Sequence, residues 1–101
     1  MAATVNIESP AVMALHEAVC AEYNCKVGAI MAVSDTNQKK LVVFILRFFY
    51  TCDVRDLSKA YCISHLFIPT VVQAYVERYV KDVEFQRLVH RVLDKMDAHA
   101  S

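Results

Sequence analysis

The chain has one glycine, two prolines and no tryptophan among its 101 residues. All-β folds need frequent turns built on glycine and proline, so this shortage points away from them and towards an all-α fold. The lone glycine, Gly28, leaves no material for a phosphate-cradling glycine-rich loop, which excludes a nucleotide-binding domain. A surplus of one charge sign is also missing. Lysine plus arginine and aspartate plus glutamate number 11 each, for a formal net charge of zero. Nucleic-acid binders usually carry a basic surplus, because phosphate contacts supply much of their affinity, so strong non-specific DNA binding is not expected. The longest apolar run, Leu41 to Tyr50, is interrupted by Arg47 and falls well short of the ~20 residues needed to span a bilayer. Met1–Pro10 has neither a basic start nor a long apolar stretch, so no signal peptide is expected. The expectation is a soluble cytoplasmic chain with no membrane partner. The four cysteines, Cys20, Cys25, Cys52 and Cys62, form no C-x-x-C pair, and in a reducing compartment free, partly buried thiols follow.

Apolar residues are abundant. They make up 56% of the chain, above the usual share of about 45–50%. One domain over residues 1–101 is expected, with an ordered helical core over 9–97 and about five or six helices. Ser9 can cap a first helix with Pro10 at its opening position, and Val12, Leu15, Ala18, Val19 and Tyr23 follow at helical spacing. Asn24 and Cys25 end it. A short helix over Val27, Ile30 and Met31 is expected next, weakened by Gly28, then a polar loop over Ser34–Asn37. Leu41–Tyr50 has strand-like composition, but its length and helical surroundings favour a central buried helix. Asp53 caps the next helix, with Val54, Leu57 and Ala60 or Tyr61 facing inward. Cys62–Phe67 make a turn, and Pro69 opens a longer helix with Val72, Val76, Tyr79 and Val80 inward. Thr70, Gln73, Ala74, Glu77, Arg78 and Lys81 form its outer face. A last helix starts near Val83 or Glu84 with an inward stripe of Phe85, Leu88, Val89, Val92, Leu93 and Met96, and frays after Asp97. Residues 53–82 thus have the layout of a helix-turn-helix.

No acid/base pair, nucleophile or cofactor loop stands out, so neither an enzyme nor a cofactor is expected. His16 with Cys20, and Cys62 with His65, have spacings that zinc accepts, but neither pair matches a finger, and free thiols with a surface histidine are the expectation rather than a metal site.

Three stretches carry a family resemblance. "EAVCAEYNCKVGAIMA" is similar to the opening helices, "KKLVVFILRFFYTCDVRDLSKAY" to the central helix and first helix-turn-helix helix, and "TVVQAYVERYVKDVEFQRLVHRVLDKM" to the recognition and closing helices, of one domain. From Ala11 to Met96 the chain resembles the C-terminal DNA-binding domain of the bacterial chromosomal replication initiator DnaA. The family signature is Gly-Gly-Arg-Asp-His-Ser/Thr-Thr-Val. On it, Cys62 and Ile63 stand for the two glycines, and Ser64, His65, Leu66 and Phe67 fill a longer version of the Arg-Asp stretch. Ile68 and Pro69 replace His and the first Thr, while Thr70 and Val71 match. Lys39 and Lys40 lie where the family has an arginine-rich loop.

The resemblance implies a stand-alone DnaA-like helix-turn-helix protein, a regulator of replication or transcription. Its DNA-reading tip has lost most base-pairing side chains, since Leu66, Phe67 and Ile68 offer base edges no donors or acceptors. Candidate DNA contacts are Lys39, Lys40, His65, Thr70, Gln73, Arg78 and Lys81, with Thr70 and Gln73 at bases and the cations at phosphates. The partner so implied is double-stranded DNA, bound weakly and salt-sensitively. The competing expectation is a protein-interaction or dimerisation module that keeps only the scaffold. It would use Leu66, Phe67 and Ile68 as a partner-binding knob, unless these fold back onto the core. Burial of at least Leu66 or Phe67 is expected. High apolar content without net charge favours self-association.

Overall fold

The computed structural model describes residues 9–26, 30 and 36–100, with side chains to Asp97. It holds five helices and, among the described residues, no strand: α1 Pro10–Tyr23, α2 Asn37–Phe48, α3 Val54–Tyr61, α4 Ile68–Lys81 and α5 Val83–Ala100. The all-α expectation is borne out. The radius of gyration is 12.4 Å, close to the ~13 Å of a compact 100-residue domain, and the described residues form one compact body.

Local chemistry sets the helix ends. The Ser9 hydroxyl accepts from the Val12 amide at 3.2 Å and Pro10 supplies a preset φ, so α1 begins there. It ends where Asn24 turns left-handed (φ 53°, ψ 48°) and both the Asn24 and Cys25 amides reach back to the Cys20 carbonyl. Thr36 caps α2 by accepting from Lys39 N–H at 3.2 Å. The expected helix over Val27, Ile30 and Met31 lies outside the described residues except for Ile30, which is fully buried. Ser34 and Asp35 also lie outside them.

α2 is the axis of the molecule. Leu41 through Leu46 are all buried, so this helix is enclosed on every side along its middle, and α1, α3 and α4 pack around it. Composition alone would allow a strand here, but the described residues offer no partner strand, whereas a helix bonds its own backbone. Phe44 sits at the hub, with ring centroids 5.5 Å from Phe48, 6.0 Å from Phe49, 5.7 Å from Tyr75, 6.4 Å from Tyr79 and 6.2 Å from Phe85. It therefore ties α2 to α4 and α5. α5 lies mainly along α1. That seam buries Val89 and Val92 and is closed at its edge by Glu22, which accepts from Arg91 Nε and Nη2 at 3.2 and 2.7 Å.

One detail of the expected phasing is corrected. Val80 is exposed, not inward; the buried and half-buried set on α4 is Ile68, Val71, Val72, Tyr75, Val76 and Tyr79. These positions share one stripe, and Val80 lies about 100° beyond Tyr79 on the last turn of α4, where Asp82 already breaks the helix to start α5. Helix α5 runs past Asp97 to Ala100.

Candidate docking face at the α3–α4 turn

Asp53 starts α3 by accepting from the Arg55 and Asp56 amides at 2.8 and 3.4 Å. Leu57 and Tyr61 point into the core, which turns Arg55 and Lys59 outward, one helical turn apart. At the end of α3 Cys62 adopts a left-handed conformation (φ 57°, ψ 41°), and the buried Ile63 follows. Ser64 then organises the turn. Its hydroxyl accepts from Leu66 N–H at 3.3 Å, and its carbonyl accepts from Phe67 N–H and Ile68 N–H at 2.9 and 3.2 Å. Ile68, fully buried, closes the turn and opens α4.

Ile63 and Ile68 thus pin the turn to the core at both ends, and the residues between them are held outward. Leu66 is 77% exposed and Phe67 38% exposed. The expectation that Leu66 or Phe67 folds inward is overturned. Ile68 is the residue that packs inside, so it leaves the partner-binding set. The cause is register: α4 begins at Ile68, and that side chain takes the core position of its first turn.

Two further candidates shift in meaning. Lys39 is fully buried, so its ammonium is not at a surface where phosphate could meet it. It sits three and four residues before Val42 and Val43, both buried, and its stem belongs to the core side of α2. Lys40 is half-buried, with Nζ 5.7 Å from the centroid of Phe67, so the central helix lends a cation to the base of the turn. On α4, Thr70, Gln73, Arg78 and Lys81 are all exposed as expected. Gln73 donates to Glu77 at 3.4 Å. Arg78 stacks on Phe85 at 4.3 Å and lies 3.7 Å from Asp82, so it bridges α4 to α5 rather than reaching free into solvent.

The structure brings together a group absent from the sequence expectations. Arg55, Ser58 and Lys59 of α3 and His65 of the turn line one depression of about 220 Å³. No carboxylate is among these lining residues, and the basic groups converge on one concavity. Outward cations at i and i+4 on α3 were the available signal, but nothing local showed that the turn would fold back to place His65 beside them.

The zinc-compatible pairs have other roles. His16 is buried and its Nε2 is 2.7 Å from the Tyr61 hydroxyl, which joins α1 to the end of α3. Burial lowers the His16 pKa and raises that of the Tyr61 phenol, so both stay neutral at pH 7. Cys20 is buried beside Cys25, and its thiol is pushed up to about 12 chiefly by burial. Cys62 and His65 are exposed. The described residues contain no group of three or more His, Cys, Asp and Glu side chains placed to hold a metal ion. None of the helices they form is long and apolar enough to cross a membrane.

No protein-family model matches this chain, and no curated protein or solved structure is significantly similar to it.

Proposed function

We propose that the chain is a DnaA-like helix-turn-helix domain that binds double-stranded DNA through its backbone, as a cytoplasmic regulator of replication or transcription. The observation that carries this reading is the pairing of an exposed α4 outer face with the basic depression of Arg55, Lys59 and His65 beside it. In a helix-turn-helix the second helix lies in the major groove while neighbouring cations hold phosphates. Cys62 adds support: it holds a left-handed conformation at the position where the resembled family has a glycine. With Leu66 at the tip and Gln73 and Arg78 engaged within the protein, base readout is poor and phosphate contact dominates.

Binding is then weak, tolerant of sequence and steep in salt. With about three phosphates neutralised by Lys40, Arg55 and Lys59, affinity falls roughly 40-fold between about 50 and 200 mM salt. Fluorescence anisotropy checks this with duplexes carrying either the initiator's consensus site or a scrambled one. Arg55→Glu with Lys59→Glu is expected to abolish binding to both. Absence of binding to either duplex at low salt overturns the reading.

A second reading is favoured by one specific observation. A large aliphatic side chain, Leu66, is 77% exposed on a turn held by three bonds to Ser64. An apolar projection on a hydrogen-bonded turn suits a protein-interaction module, because the backbone loses little freedom when it docks.

A further inference from the structure

The geometry points to a specific partner chemistry for this ridge: an amphipathic segment of another protein that carries acidic side chains beside an apolar face. The inference rests on the interaction reading and deepens it.

Three observations fix the character of the occupant. First, the apolar element is small and its backbone path is set by local hydrogen bonds. Leu66 and Phe67 project between two buried anchors, Ile63 and Ile68, and the Ser64 bonds set the path of the chain between them. A preorganised backbone lowers the ordering cost of docking. Second, the charged side chains that line the neighbouring depression are cationic. Arg55, Lys59 and His65 line the neighbouring depression, and Lys40 sits against the Phe67 ring. Rim charges of one sign select a partner of the other sign and repel like-charged ones. Third, the depression has a volume of about 220 Å³, room for a few side-chain groups and not for a folded surface. Carboxylates spaced one helical turn apart on a partner match Arg55 and Lys59, which are themselves i and i+4 on α3. Bidentate pairing of Arg55 with a carboxylate gives direction to the contact.

A second copy of this chain fits less well. Two copies meeting at this ridge about a two-fold axis would bring the Arg55 and Lys59 cations of one against those of the other.

Selection from a phage-displayed library of random peptides on the immobilised full chain tests the inference. Recovered peptides are expected to combine Asp or Glu with Leu or Phe at helical spacing. Fluorescence anisotropy of such a peptide should weaken about 30-fold with Leu66→Ala, and about 30-fold with Arg55→Glu plus Lys59→Glu. All three positions are exposed, so circular dichroism of each variant should be unchanged; Leu66→Met, which keeps an apolar anchor, should retain binding. Peptides lost on Leu66→Ala but lacking acidic residues, and indifferent to the Arg55 and Lys59 changes, overturn the acidic partner while leaving the interaction reading intact. Failure to recover any peptide sensitive to Leu66→Ala overturns both. If a DNA duplex, and no peptide, binds in a Leu66-dependent way, the ridge belongs to the DNA contact and the inference fails.

Discussion

His16 and Tyr61 are far apart in the sequence and meet in the core at 2.7 Å. Burial lowers the folded-state pKa of His16 below the ordinary value of 6.5, so the unfolded chain takes up the proton first. The associated stability is complete above pH 6.5 and is lost as pH falls below that value towards the folded pKa. Thermal melts are therefore expected to show a falling Tm between about pH 7 and pH 5. His16→Gln, which cannot titrate, should melt lower at neutral pH but with little slope in that window; equal slopes in both proteins contradict the assignment. Glu22 is separate, because its carboxyl is held low mainly by the Arg91 hydrogen bond and acts only in stronger acid. At this scale the sequence was readable where the contact is local. Ser9 and Asp53 cap helices a few residues ahead of them, and both positions were correct. His16–Tyr61 was unreadable because nothing in either neighbourhood specifies the other. Lys39 was misplaced for a related reason: two adjacent lysines look alike in sequence, and only the phase of α2 buries one and half-exposes the next.

Helix α2 shows what the element scale adds. A run of apolar residues cannot by itself choose between strand and helix; length and helical neighbours decided it. What remained hidden was which neighbours would surround it, and Phe44 answers that by touching five aromatic rings on α2, α4 and α5 and beyond the end of α2. Removing that ring leaves a cavity at the junction of three helices. Phe44→Ala is expected to cost about 3–5 kcal/mol, a large part of the 5–15 kcal/mol typical of a domain. Urea titration followed by circular dichroism measures it, and a loss under about 1 kcal/mol would show that α2 is not the hub. The turn between α3 and α4 was legible as a turn and illegible as a surface. Leu66, Phe67 and Ile68 are consecutive and all apolar, and a shift of one residue in the start of α4 exchanges which of them is inside.

Across the whole molecule, charge is neutral in sum and uneven in place. Three acidic side chains are engaged within the protein: Asp53 in a cap, Glu22 with Arg91 and Lys95, Asp82 with Arg78 and the start of α5. Arg55, Lys59 and His65 share a depression with no carboxylate among its lining residues. A composition count therefore understates how basic one face is, which is why the zero balance argued against a polyanionic partner more strongly than the folded surface does. The order of α3, turn and α4 was legible from caps and periodicity. The docking face was not, because it joins α3 to a turn residue through the path of the backbone.

The scarcity of glycine has a practical outcome. Asn24, Thr51 and Cys62 all hold positive φ without it. A β-branched threonine pays most for that geometry and asparagine least. Thr51→Gly and Cys62→Gly are each expected to stabilise the fold by about 0.5–1 kcal/mol after the added freedom of the unfolded chain is counted, which is a rise of a few degrees in Tm by scanning calorimetry. A decrease at both sites would mean that the side chains themselves hold the loops. The doubly substituted protein would be a reinforced chassis, on which damaging changes to the exposed ridge can be made and read without the fold giving way first.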